Sequence, residues 1–469
     1  MKSLPFFKGL SWLIVLNLLV KPIWIFFIDR QVQNIVGHEQ YGRYFALLGL
    51  SYVLLFLADA GMTNMVNQRM ANKLSAPVDQ LLKIKFILLL VYFVVCCFAG
   101  WLTHIKELDL LLYLILIQSL TSIFVFLRNI ITASQYFTAD AWFSVLDKLL
   151  MILFCGAFIY SSFSVKITLI IFLQIQTVCT VIAVISLFFF VLKKHLIVKK
   201  EKEDLEQIIK FILPFAIIIL LMSVHYRLDG FLLERIHYKG AYEAGIYASA
   251  YRLLDAGNMV GYLAVSFLLP FIARHQSDKA MIQDVFINTR HGLMFFAIGI
   301  VSFTIIFAPW LQQLLYHSQD EYHSGVIQLC MAALPAYFLV HLYGSVLTAT
   351  ARFKQFIVVL ILSVIINLVM NLLLIPSYGA LGCCIAALSS HYFCGLTTAI
   401  VATRNLKISF DQRSGFAYLF FAALLTAFFY FGRMAVSNVW IILAIAVCIS
   451  LIFLFTQISF LKKYFISFR

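Results

Sequence analysis

The stretch VWIILAIAVCISLIFLFTQISF, from Val439 to Phe460, carries no charged side chain. At ~1.5 Å per helical residue it is long enough to cross ~30 Å of hydrocarbon as one helix. Working outward from it, roughly fourteen apolar runs of about 18–25 residues fill the chain, parted by short polar loops. No polar segment of domain size interrupts them between Met1 and Arg469. Whatever this chain does takes place inside a bilayer, among helices, which excludes most enzyme classes before any motif is read.

Composition agrees with the runs. With 63% hydrophobic and 12% charged residues, and a mean hydropathy of +0.97, the chain cannot present a water-compatible surface. The first run follows Lys2 and Lys8, reaches about Phe27 and lacks a small-x-small cleavage pattern, so it reads as a retained span.

A net charge of +14 invites a nucleic-acid reading, and the placement of the cations answers it. When the runs are numbered in order, the second-to-third connection carries Arg69, Lys73, Lys83 and Lys85. The sixth-to-seventh carries Lys193, Lys194, Lys199, Lys200, Lys202 and Lys210. Later connections of the same parity carry Arg274, Lys279 and Arg290, then Arg352 and Lys354, then Arg404, Lys407 and Arg413, and the tail adds Lys462, Lys463 and Arg469. Most of the 35 basic residues thus lie on one face, as the positive-inside rule requires of cytoplasmic loops. The opposite loops are poorer in cations and include Asp320 and Glu321. Both termini are therefore expected in the cytoplasm, and no nucleic-acid partner is expected.

The nine cysteines sit within apolar runs without C-x-x-C spacing and read as small packing residues. No metal site or cofactor is expected. The chain also lacks a defensible Ser/His/Asp order, an H-E-x-x-H motif, a phosphate-cradling glycine loop and suitably spaced paired carboxylates. A transporter rather than an enzyme follows. Its energy must come from an ion gradient (H+ or Na+), the membrane potential or the cargo's own gradient.

A repeat organises the runs. Before the second stands Gly37-His38-Glu39-Gln40-Tyr41-Gly42-Arg43-Tyr44, and before the eighth Gly240-Ala241-Tyr242-Glu243-Ala244-Gly245-Ile246-Tyr247. Aligning Gly42 on Gly245 also aligns Gly37 on Gly240 and Tyr44 on Tyr247. The offset matches six spans with their loops, the mark of a parallel six-helix repeat. The expected organisation is a first lobe over 1–195 (helices 1–6) and a charged cytoplasmic linker over 196–210. A second lobe follows over 211–404 (helices 7–12), then a C-terminal helix pair over 405–469.

The run from Gly240 to Asp255, G-x-Y-E-A-G-I-Y-x-x-A-Y-R-L-L-D, resembles the seventh-to-eighth helix connection of bacterial polysaccharide flippases. These belong to the multidrug/oligosaccharidyl-lipid/polysaccharide exporter superfamily. The segment from Gly37, followed by Asp59-Ala60-Gly61, is similar to their first-to-second helix region, and Ile375-Pro376-Ser377-Tyr378-Gly379-Ala380-Leu381-Gly382 to their eleventh-to-twelfth connection. The resemblance implies an all-α polytopic membrane protein of about fourteen transmembrane helices, with two six-helix MATE-like lobes forming a V and a C-terminal helix pair. It also implies alternating access in a bacterial inner membrane. The cargo would be an undecaprenyl-diphosphate-linked glycan moved from the cytoplasmic to the outer leaflet, for O-antigen, capsule or exopolysaccharide. Membrane lipids and a polysaccharide polymerase are the remaining candidate partners.

Charges kept among the spans call for a reason, since each costs about 2.5–3.5 kcal/mol at mid-bilayer on insertion scales. Lys21 lies about eleven residues into the first helix and Arg252 about nine into the eighth, both near mid-depth at ~1.5 Å per residue. One cation per lobe suits a cavity for a diphosphate. Arg252 and Asp255, at i and i+3, are also placed to neutralise one another. Asp147 and Lys148 point ~100° apart on the fifth helix and are expected to meet different partners. With Arg43, Arg227 and Asp229 they are assigned to the cavity or its vestibules. Arg128 and Arg352 read as positive-inside anchors, and His225, His341 and His391 as hydrogen-bonded helix-contact histidines rather than proton carriers.

Three other functions fit parts of the pattern. A multidrug antiporter would need unpaired cavity carboxylates where the first helix offers Lys21. A lipid II flippase shares the cationic logic. A membrane polysaccharide polymerase or ligase would need a larger outer loop than this chain provides.

Overall fold

The computed structural model describes residues 3–71, 78–160, 167–197, 204–274, 278–317, 320–406 and 412–457. The run from Lys199 to Glu203, the tail cations Lys462, Lys463 and Arg469, and Lys2, Lys73 and Lys407 lie outside them. Every regular element among the described residues is helical. They are α1 (Ser3–Ile23), a π-helical turn (Trp24–Asp29), α2 (Arg30–Leu54), α3 (Phe56–Asp59), α4 (Met62–Ala71), α5 (Val78–Leu102), α6 (Leu108–Ala133) and α7 (Phe137–Tyr160). There follow α8 (Leu169–Lys193), α9 (Leu205–Ile236), α10 (Gly240–Arg274), α11 (Lys279–Tyr316) and α12 (Glu321–Ala332). Last come α13 (Leu334–Ala349), α14 (Phe353–Leu406), α15 (Gln412–Ala435) and α16 (Val439–Gln457).

Ten described segments are long and apolar enough to cross a membrane. Two of these, Ser11–Asp59 at 49 residues and Phe353–Arg404 at 52, are each twice the length of a span. Each contains one non-helical residue, Gly37 (φ 82, ψ 167) and Gly379 (φ 54, ψ −128). Only glycine adopts such backbone without strain, which is why both motifs carry it at the joint between two spans. With the shorter apolar helix Val439–Leu454, these segments accord with an all-α membrane fold of about fourteen spans. Within α1, Pro22 has no N–H to give to the preceding turn, and the hydrogen-bond ladder loosens into the π-helical turn that follows it.

Contacts between α-carbons divide the chain into two compact units, Met1–Ala248 and Ser249–Arg469. In the first, α1 packs along α7, where Leu16 and Val20 meet Ala141 and Val145. Asn17 Nδ2 donates to Ser144 Oγ at 2.7 Å in the same seam. A second core joins Met62 and Val66 of α4, Phe126 and Ile130 of α6, Leu187 of α8, and Ile208 and Ile212 of α9. Asp204, the last residue of the charged linker run, caps α9 by accepting from Glu206 N at 3.2 Å.

In the second unit, α13 is buried along nearly its whole length and packs on α14. An aromatic cluster pairs α11 with α15 and α16, with Phe295 edge-on to Phe421 at 4.9 Å and Phe421 tilted on Phe453 at 5.0 Å. His341 meets Asn258 Oδ1 at 3.0 Å, and the His391 ring lies 4.1 Å from that of Tyr337. Except for Cys97 and Cys448, the cysteines are buried.

Two cations assigned to loops are instead inside the helix packing. Arg290 is buried in α11, donating to Tyr343 Oη and Ser414 Oγ at 3.3 Å each. Lys85, only 1% exposed, donates to Asp59 Oδ1 and Ser122 Oγ at 2.7 Å each. Thr63 completes that site by donating to the same Asp59 oxygen at 2.7 Å. The left-handed residues Ala60 and Gly61 (φ 47 and 81) end α3 and turn the chain into α4, which brings Asp59 and Thr63 together. Lys85→Met would leave the Asp59 carboxylate without its cation, held by Thr63 in an apolar setting. A loss of about 3–5 kcal/mol is expected, read as a lowered unfolding temperature in detergent. Combining it with Asp59→Leu should recover most of that loss.

Candidate functional site

The two copies of the repeat meet each other. A Cβ on Gly42 would overlap the Ala241 carbonyl oxygen and lie 2.6 Å from the Gly245 nitrogen, and one on Gly245 would overlap the His38 carbonyl. Aligning Gly42 on Gly245 sets His38 on Ala241, so these are one contact seen from each copy. The start of α10 therefore crosses α2 with local two-fold character, and only glycine permits backbones this close.

Side chains lock the crossing. Gln33 Nε2 donates to the Gly245 carbonyl at 2.9 Å, and His38 sits edge-on to Tyr242 at 5.6 Å. Each motif also ties a tyrosine to a buried carboxylate on the preceding helix. Tyr41 Oη donates to Asp29 Oδ2 at 2.7 Å, and Tyr247 Oη to Asp229 Oδ2 at 3.3 Å. Asp229 thus helps to hold the crossing, and its neighbour Arg227 lies over the Tyr52 ring at 5.0 Å.

A second group of charges forms where α1, α6 and α7 approach. Lys148 Nζ lies 3.2 Å from Asp147 Oδ2 and 4.3 Å from the centre of the Trp24 ring. Adjacent residues on one helix point apart, yet a four-carbon lysine stem is long enough to fold back. The expectation of separate partners for Asp147 and Lys148 is corrected accordingly. Arg128, read from sequence as an anchor, pairs instead with Asp140 at 2.8 Å. The charged groups acting on the partly buried Lys21 are Arg128, Asp147, Lys148 and Asp140. Lys21, Arg128 and Lys148 thus share this region with Asp140 and Asp147, and the π-helical turn that carries Trp24 adds the buried Asp29. The sequence reading took Arg128 for an anchor and did not single out Asp140, because their grouping with Lys21 depends on α1 lying along α7.

The remaining expected residues lie elsewhere. Arg43 is bound by Glu39 at 2.7 Å and Glu107 at 2.8 Å and is 43% exposed. In the second unit Arg252 and Asp255 keep their i, i+3 relation at 3.9 Å, the long end of an ion pair. Among the described residues no group of three or more His, Cys, Asp or Glu is placed to hold a metal ion.

The family described as polysaccharide biosynthesis protein matches residues 6–276. No curated protein matches the chain. Among solved structures, the lipid II flippase MurJ in an inward closed conformation superposes with a TM-score of 0.65 at 12% identity, covering 99% of both chains. A MOP superfamily transporter from Pyrococcus furiosus, described as having a binding pocket of reverse polarity, gives 0.60 at 14% identity, covering 86% of this chain and 94% of its own. A mutant of the Vibrio cholerae MATE transporter VcmN gives 0.60 at 14% identity, covering 86% and 96%. The fold is that of MurJ and the MATE transporters.

Proposed function

The chain belongs to the polysaccharide biosynthesis protein family, and on that premise we propose that it is a flippase for an undecaprenyl-diphosphate-linked oligosaccharide repeat unit. It would work by alternating access between a first lobe over 1–195 and a second over 211–404, joined by the linker 196–210 and followed by the helix pair 405–469. Both termini would face the cytoplasm of a bacterial inner-membrane protein.

This reading is supported by Lys21, a cation kept on an apolar helix beside the Arg128–Asp140 and Lys148–Asp147 pairs. Apolar helices keep such a charge only where it is used, and a diphosphate leaving water needs fixed cations to replace its hydration. The ion pairs Arg128–Asp140 and Lys148–Asp147 weaken the local field, so anionic cargo is held without being trapped. Arg252, loosely held by Asp255, would serve the same cargo from the second lobe, with Arg43 and Arg227 in the vestibules and Asp229 bracing the crossing. Arg252→Ala is expected to lower export about tenfold. Arg252→Lys should keep part of it, because charge survives and bidentate geometry does not. The measurement is surface polysaccharide per unit of membrane protein.

The reading is tested by deleting the gene in its host and following the lipid-linked intermediate. Accumulation on the cytoplasmic leaflet, relieved by the wild-type chain, is the expected result. Normal surface polysaccharide without the chain, with cells failing in wall synthesis, would favour lipid II as cargo. Loss of drug resistance alone would favour an antiporter.

A further inference from the structure

Where α9 turns into α10, the first unit contains a recess of about 790 Å³, in the range of small-ligand sites. Its walls come from the Gly42–Gly245 crossing, the α9–α10 turn and the loop between α5 and α6. On the proposed topology it opens to the outside. Its charges are largely committed to one another. Arg43 is shared by Glu39 and Glu107, and Arg235 Nε lies 2.9 Å from Glu234. Lys106 and Lys239 also line the recess, so that four cations stand among three carboxylates. A free diphosphate would meet the three carboxylates Glu39, Glu107 and Glu234 on the same walls. The recess instead offers planar donors and acceptors at fixed positions, the groups that read vicinal hydroxyls. Beside them stand two exposed aromatic rings, Tyr238 at 82% exposure, flanked by the His237 ring at 4.5 Å and Lys239 Nζ at 5.5 Å, and Tyr242 at 42%, edge-on to His38. The apolar C–H face of a pyranose stacks on such a ring while its hydroxyls reach the polar wall.

We infer that this recess is a saccharide-binding subsite, taking the weakly charged or uncharged glycan part of the cargo on the outer face rather than its diphosphate. The inference rests on the flippase reading for the identity of the glycan, and on the recess alone for the ligand class. Because Glu39, Arg43 and Gly240 to Tyr242 belong to the crossing, the subsite exists in full only while α2 and α10 are joined there.

The test uses the full chain in lipid nanodiscs. The probe is the host's own repeat-unit oligosaccharide, freed from its lipid by mild acid and followed by saturation-transfer difference NMR. Wild type should bind it, and inorganic diphosphate should not compete. Tyr238→Ala and Glu107→Gln should each weaken binding about tenfold, the worth of one ring face or one charge-assisted hydrogen bond. The unfolding temperature of each variant should stay unchanged, since both positions are accessible. Absence of binding to wild type, binding untouched by both variants, or displacement by diphosphate would each overturn the subsite. Flipping of lipid-linked cargo in liposomes separates the two claims. Flipping without saccharide binding removes the subsite alone, and binding without flipping removes the flippase reading alone.

Discussion

Lys21→Glu is expected to abolish polysaccharide export while leaving protein level and membrane insertion intact. The substitution puts a carboxylate in place of a cation in the group that Lys21 shares with Arg128, Lys148, Asp140 and Asp147. At ~5 Å and an effective dielectric constant near 20, losing one unit attraction to a diphosphate charge amounts to about 3 kcal/mol, somewhat over 100-fold. Charge reversal adds a repulsion of similar size. Lys21→Arg keeps the charge and should keep substantial export. The assay is surface polysaccharide in a strain lacking every other flippase. Normal export by Lys21→Glu would remove the anionic-cargo mechanism through this residue and raise a cation antiporter in its place.

The second large effect concerns the helix crossing. Gly42→Val and Gly245→Val should each abolish the folded protein, because the new side chains would overlap backbone carbonyls at Ala241 and His38. A backbone obstacle cannot rotate aside. The helices must part, breaking the Gln33–Gly245 hydrogen bond and the contact between the Phe45 and Tyr247 rings. The expected cost exceeds about 4–5 kcal/mol, beyond the range of ordinary substitutions. In detergent this appears as loss of the cooperative unfolding transition and of purifiable protein. Gly292→Ala, where a Cβ meets no atom within 4 Å, should behave as wild type. Equal tolerance at all three glycines would mean that the crossing is not made in the cell.

Legibility of the fold followed the range of the interactions. Apolar runs are local, so the spans were readable. Gly37, Gly42, Gly245 and Gly379 were visible as repeat and motif residues, although the sequence did not indicate that Gly42 and Gly245 would face each other. What could not be read were partners set by packing. Ser122 lies 37 residues from Lys85, and Ser414 lies 124 from Arg290, so both cations passed for loop residues near span ends. The same applies to Asp29, whose tie to Tyr41 depends on the break at Gly37. In the Lys21 group, Asp147 and Lys148 were singled out from the sequence, but their mutual pairing and the contribution of Arg128 and Asp140 required the α1–α7 seam.

On the proposed function, this chain moves a diphosphate-linked glycan lipid across a bilayer by way of the group at Lys21. Purified protein in liposomes, given fluorescent undecaprenyl-diphosphate-oligosaccharide in both leaflets, tests it most directly through the fraction of label that an impermeant quencher or glycosidase can reach. The account predicts that nearly all of the label becomes accessible with wild type, and only the outer-leaflet half with Lys21→Glu or empty liposomes. Equal accessibility for wild type and Lys21→Glu, or none beyond the outer half for wild type, would contradict it.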